Sequence, residues 1–191
     1  MFLETGIGPG LKALKGWSII HSVTMDGKRD MLRHFLGAIA YRTQKALRAA
    51  PSGFGHFEPG GGVRTPRELV RHMRSVLGYA RTFFIGGSYS PEVLPTLEGE
   101  IEEFHRMLED LRDHFDKGTP LTGITEEQML HGPFADVMTH AGQLAMLRRL
   151  YGDPVRSENF IHAKISPENV SSNQPDPAAP DEYWPERKAW D

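Results

Sequence analysis

A chain of 191 residues with 39% hydrophobic content is long enough for one domain with its own core. Its net charge of −3, with Lys and Arg scattered among the acids, lacks the basic stripe of a nucleic-acid surface. There is no cysteine, which excludes disulfides, thiolate metal sites and Cys nucleophiles, so any metal must be held by His, Asp or Glu.

Residues 1–25 read as an irregular lead-in. Glycines punctuate a short apolar patch at Trp17, Ile19 and Ile20 that has no sustained helical period. Gly6-Ile7-Gly8-Pro9-Gly10 follows no strand and lacks the rest of a nucleotide fingerprint, so it reads as a flexible terminus and as a poor secretory signal. No stretch approaches the roughly 20 apolar residues of a membrane span. A soluble, cytoplasmic protein without nucleic-acid or membrane partners is expected.

Asp26 is read as the N-cap of a first helix of about two dozen residues, with Leu32, Phe35, Leu36, Ile39, Thr43, Ala46 and Leu47 on its inward face and Pro51 ending it. Residues 52–64 hold Pro59 and five glycines and read as a loop. Thr65-Pro66-Arg67-Glu68 then supplies a complete start for a second helix: a Thr cap, Pro at the first helical position and Glu three after the cap. Leu69, Met73, Val76, Ala80 and Phe83 form its core face. His72, three after Leu69 and four before Val76, points the same way.

Thr96 caps a third helix in which Leu97, Ile101, Phe104, Leu108, Leu111 and Phe115 keep the period. Thr125 to Gln128 is a second capping box that opens a short helical turn. The last helix is read as Gly132 to Gly152, with Pro133 in the first turn, Gly152 as its left-handed stop and Pro154 behind it. Val137, His140, Leu144, Leu147 and Tyr151 follow three- and four-residue steps, and Asp136 lies one turn before His140. Residues 26–153 thus make an all-α bundle. Residues 154–191 form an extended tail, partly packed on it through Val155, Phe160, Ile161 and Ile165 and looser from Ser171 onward.

Three inward polar groups stand out: His72 on the second long helix, and Asp136 with His140 on the last. Packed helices lie about 8–10 Å apart, close enough for these side chains to converge on one ion. Two imidazoles and one carboxylate leave coordination positions open, as a catalytic Zn, Ni or Fe site requires. The same residues also suit a hydrogen-bonded core pair, and the pattern leaves both readings open. Gln143, three after His140, can orient a ligand or pack on a neighbouring helix; His131 sits at the helix junction beside the cluster. His162 reaches it only if the tail folds back. Glu102-x-x-His105 occurs once, whereas a di-iron bundle needs that motif twice with two further Glu, so a solvated face is expected there.

The segment Gly132 to Gly152, together with Thr65 to Met73, resembles the DinB superfamily of DinB/YfiT-like metalloenzymes. His72 matches the family's metal-binding His of the second helix. His140, with Ala141-Gly142-Gln143 and Leu147-Arg148-Arg149-Leu150-Tyr151-Gly152 after it, matches the second His of the family's His-x-x-x-His pair. Asp136 stands where the first His of that pair falls, which makes the ligand set His-Asp-His. The resemblance implies an up-down-down-up four-helix bundle and a divalent ion (Zn, Ni or Fe) on His72, Asp136 and His140. It also implies a homodimer, and hydrolase or thiol-transferase chemistry on a small molecule such as a low-molecular-weight thiol. The alternative is a non-enzymatic bundle that binds a small ligand or dimerises around a degenerate metal site.

Overall fold

The computed structural model describes residues 14–178, with side chains from residue 27 onward. The chain is all-helical over these residues, with no strand among them. Four long helices, α1 (Leu14–Leu47), α2 (Pro66–Ile85), α3 (Leu97–Asp116) and α5 (Ala135–Leu150), are joined by loops and by the single turn α4 (Glu126–Met129). α2 packs most extensively on α3 and α1 on α5, and α2 also touches α5. None of the described helices is long and apolar enough to cross a membrane.

The core is the sum of the inward stripes. Leu32, Leu36 and Ile39 of α1, Leu69, Met73 and Leu77 of α2, Phe104, Leu108 and Leu111 of α3, and Val137, Leu144 and Leu147 of α5 are all buried. Burying one such side chain contributes about 1.5–3 kcal/mol. α2 starts where its start chemistry places it: the Thr65 hydroxyl accepts the Glu68 N–H, and the Glu68 carboxylate accepts the Thr65 N–H at 2.9 Å. Gly86, at φ 75°, stops it in a conformation that disfavours other residues.

Two boundaries depart from the expectation. α1 begins at Leu14, so Asp26 lies inside the helix and does not cap it, and the lead-in is helical from residue 14. No proline interrupts the chain between Leu14 and Pro51, so nothing forces the backbone out of helical angles at Asp26. Residues 1–13 of the lead-in lie outside the described residues. The second departure concerns the last helix, which does not start afresh at Gly132. α4 runs through a wider π-type turn, Leu130–Phe134, directly into α5. Gly132, at φ −87° and ψ −107°, supplies the kink that lets Pro133 sit inside the winding.

Polar side chains hold the periphery. The guanidinium of Arg148, buried at the end of α5, donates to the carbonyls of Ala46 and Arg48 and pairs with Asp153, fastening the C-terminal ends of α1 and α5 together. Arg148 therefore does more than complement its helix dipole. Beyond α5 the chain returns along α1. Tyr41 donates to Glu158 at 2.6 Å, Lys45 reaches the other oxygen of that carboxylate at 3.3 Å, and Phe160 lies under Arg42 and edge-on to Tyr41. Ile161, expected to face the bundle, is exposed, and the anchors further along include Val170 and Gln174, both buried. His105 is buried too, not solvated: its Nδ1 donates to the Val170 carbonyl at 2.8 Å. The tail crosses α1 where Gly37 leaves room for the Ser166 backbone, whose carbonyl carbon lies only 2.9 Å from where a Cβ on residue 37 would stand.

Gly37→Ala is expected to destabilise the chain by about 1–3 kcal/mol, as overpacking against a backbone segment does, and to speed proteolysis of the tail. Gly27→Ala, in the same helix with open space around it, is expected to stabilise by about 0.5–1 kcal/mol. Urea denaturation of both variants measures the contrast. Burial holds the His105 pKa below its ordinary 6.5 against the opposing Val170 hydrogen bond. The unfolded chain thus binds the proton more readily. The stability is complete above about pH 6.5 and is lost as pH falls from there through the depressed folded value. His105→Gln is expected to flatten that slope in denaturation curves taken between pH 7.5 and 5, a range set around the ordinary histidine pKa of about 6.5.

Candidate metal centre

The π-type turn and α5 place Asp136, His140 and Gln143 along one side of a helix, and α2 brings His72 against them. The His72 and His140 rings meet edge to face with centroids 4.8 Å apart. His72, Asp136 and His140 each offer a ligand atom, and these three atoms lie within 4.8 Å of one another. Such a group could hold a metal ion. His140 is buried, whereas the Asp136 side chain is 49% exposed, so the cluster is open on the carboxylate side.

Gln143 settles which ring nitrogen is available. Its Oε1 lies 2.8 Å from His140 Nδ1, and an amide oxygen can only accept, so Nδ1 carries the hydrogen. In the neutral ring Nε2 is then a bare lone pair. It is buried without a hydrogen-bond partner, although Asp136 Oδ1 lies 3.3 Å away, outside hydrogen-bonding alignment. A buried lone pair with no donor to satisfy it costs free energy, and a cation seated between Nε2, His72 and Asp136 removes that cost. The residues present therefore fit a divalent ion: two imidazoles and a carboxylate, with a glutamine orienting one imidazole from behind.

The electrostatics favour the same protonation state at His72. Burial lowers its pKa most, then the positive charge of Arg64 and the neighbouring His140, while Asp136 acts in the opposite direction. A neutral His72 is the form that ligates. Arg64 was not among the residues the sequence brought forward. It ends the glycine-rich loop, in which Gly60, Gly61 and Gly62 all have positive φ, and stands directly before Thr65, the cap of α2.

Other candidates lie apart. His131 is exposed on the π-type turn and adds no ligand atom to the group. His162 is exposed in a short 3-10 turn, Phe160–His162, whose Phe160 packs on Tyr41, so the tail does not carry it to the cluster. Glu102 is exposed while His105 is committed to the Val170 carbonyl, and no second Glu-x-x-His faces them.

No family model, no curated protein and no solved structure matches the chain.

Gln143→Leu removes the acceptor that fixes the His140 ring and is expected to weaken zinc binding by roughly 10–100-fold, the usual cost of losing such a partner. Gln143→Glu keeps an acceptor and is expected to retain most of the affinity. Competition of each variant against a zinc-chelating dye reads both.

Proposed function

We propose that the chain is a divalent-metal-dependent enzyme of the DinB-like class, built as an up-down-down-up four-helix bundle, with Zn, Ni or Fe held by His72, Asp136 and His140. The observation that carries this reading is the buried, partnerless Nε2 of His140 beside His72 and Asp136. The likeness of Gly132 to Gly152 and of Thr65 to Met73 to that family supports it, and the substitution of Asp136 for a histidine keeps a chemically sound ligand set. When bound, the ion supplies a Lewis acid that lowers the pKa of a water or a small thiol.

The chain's own residues do the rest. Gln143 orients the His140 ring, burial and then Arg64 lower the His72 pKa, and the Asp136 carboxylate stands half exposed at the edge of the cluster. Hydrolysis or thiol transfer on a small molecule, in a cytoplasmic homodimer, is the proposed activity. One observation favours the alternative of a non-enzymatic ligand-binding bundle: Asp136 and His140, 3.3 Å apart on successive turns, can act as a simple carboxylate–imidazole pair.

Elemental analysis and thermal denaturation separate the two. The enzyme reading expects about one zinc or nickel ion per chain, and a ligand at 100 times its Kd stabilises by about 2.7 kcal/mol. That shift is expected to vanish in His72→Ala and in His140→Ala. Equal shifts in wild type and variants, with no metal retained, would sink the enzyme reading.

A further inference from the structure

A cavity of about 680 Å³, whose wall includes Gln143 but none of His72, Asp136 and His140, is lined by Arg64, Leu69, Met146, Leu147 and Leu150 among others. Its size falls in the range of small-molecule sites. Two observations about its walls point to an occupant. Val63, Met146 and Leu150, all on its rim, are large apolar side chains left 56%, 57% and 59% exposed. Isolated exposed apolar residues are ordinary, but three around one concavity make a patch that calls for a cover. Arg29, Arg33, Arg74, Arg81 and Arg148 each reach a carboxylate, whereas Arg64, the one charged residue on this cavity wall, reaches none among the described residues, as is also true of Arg42, Arg67, Arg71, Arg149 and Arg156 elsewhere. The larger cavity beside Arg29, Arg33 and Asp116 offers no such contrast, because its arginines are already paired within the chain.

We propose that the cavity is the substrate pocket of the metal centre and takes a carboxylate with an apolar tail, the carboxylate on Arg64 and the tail along Leu69, Met146, Leu147 and Leu150. This rests on the metal reading of the neighbouring cluster. A planar guanidinium matches a carboxylate with two parallel hydrogen bonds, and its unpaired charge makes the pocket selective for an anion over an alcohol of the same length. Gln143 joins the two regions: its Oε1 is engaged by His140, and its residue forms part of the cavity wall, so a ligand seated on Arg64 lies next to the group that orients a metal-binding ring.

Octanoate and 1-octanol, which share an eight-carbon chain and differ in charge, test the assignment by calorimetry on the zinc-loaded chain, with a zinc titration of the same samples run in parallel. Octanoate is expected to bind at least tenfold more tightly than 1-octanol. Arg64→Gln is expected to erase that preference while leaving 1-octanol binding unchanged, and Met146→Asp to weaken both ligands. Because Arg64 is exposed, unchanged thermal denaturation of Arg64→Gln shows that the fold is intact. Octanoate binding that is absent, or unaffected by Arg64→Gln, overturns the proposal while normal zinc uptake leaves the metal reading standing. A chain that takes up neither zinc, nickel nor iron overturns the metal reading and this proposal with it. A dimer in sedimentation that Met146→Asp dissociates and that excludes octanoate overturns it as well.

Discussion

A proline cannot donate a hydrogen bond, and the winding that accommodates Pro133 sets the register of everything after it. The backbone between α4 and α5 widens over Leu130–Phe134 and kinks at Gly132. From that fixed point the 3.6-residue period carries Asp136, His140 and Gln143 past α2 in succession, while Val137, Leu144 and Leu147 turn to the core. A junction at which the same segment simply restarted one residue later would rotate the whole set by about 100° and send His140 away from His72. The local geometry around one imino acid thus decides whether three polar residues meet.

The meeting then depends on hydrogen-bond accounting at a single ring. His140 has two nitrogens, and Gln143 occupies one of them. The other is left buried without a donor. Structural histidines in cores usually have both nitrogens answered or one exposed to water; at His105 Nδ1 donates to the Val170 carbonyl, and Nε2 faces only the Gln44 amide oxygen at 3.3 Å. What separates the two buried rings is the company of the second nitrogen: beside His140 stand another imidazole and a carboxylate, each offering a ligand atom. It owes nothing to likeness with other proteins.

Legibility in the sequence followed locality. The start of α2 could be read to the residue because Thr65, Pro66 and Glu68 act on each other within one turn. His72 and His140 were legible because each lies on an apolar stripe whose period predicts its direction; Asp136, expected inward but half exposed, was legible only as the residue one turn before His140. The start of α1 was not, since Asp26 makes a cap only where the backbone leaves the helix, and nothing in its neighbours forces that. The continuity of α4 into α5 was hidden for a related reason: Gly132-Pro133 reads as a boundary, and only the packed structure shows it as a bend. Arg64, Glu158 and Gln174 were illegible because loop and tail paths, which have no period, decide what they touch. The reading of residues 102–105 as a solvated face failed in the same way. It took no account of a tail segment sixty-five residues away that covers His105.

The crossing of the tail over Gly37 has a consequence for how the molecule assembles. Ser166 meets α1 across more than a hundred residues of intervening chain, and contacts of such long range form late, after the loop they close has been organised by other means. The helices can pack, and His72 can meet His140, before this crossing is made. The tail can therefore come away from α1 while the helices keep their own contacts. Its detachment would expose Val170, Gln174 and the Gly37 face while the helices stay joined through α2 and α5, so that the two ends of the molecule open on separate free-energy scales.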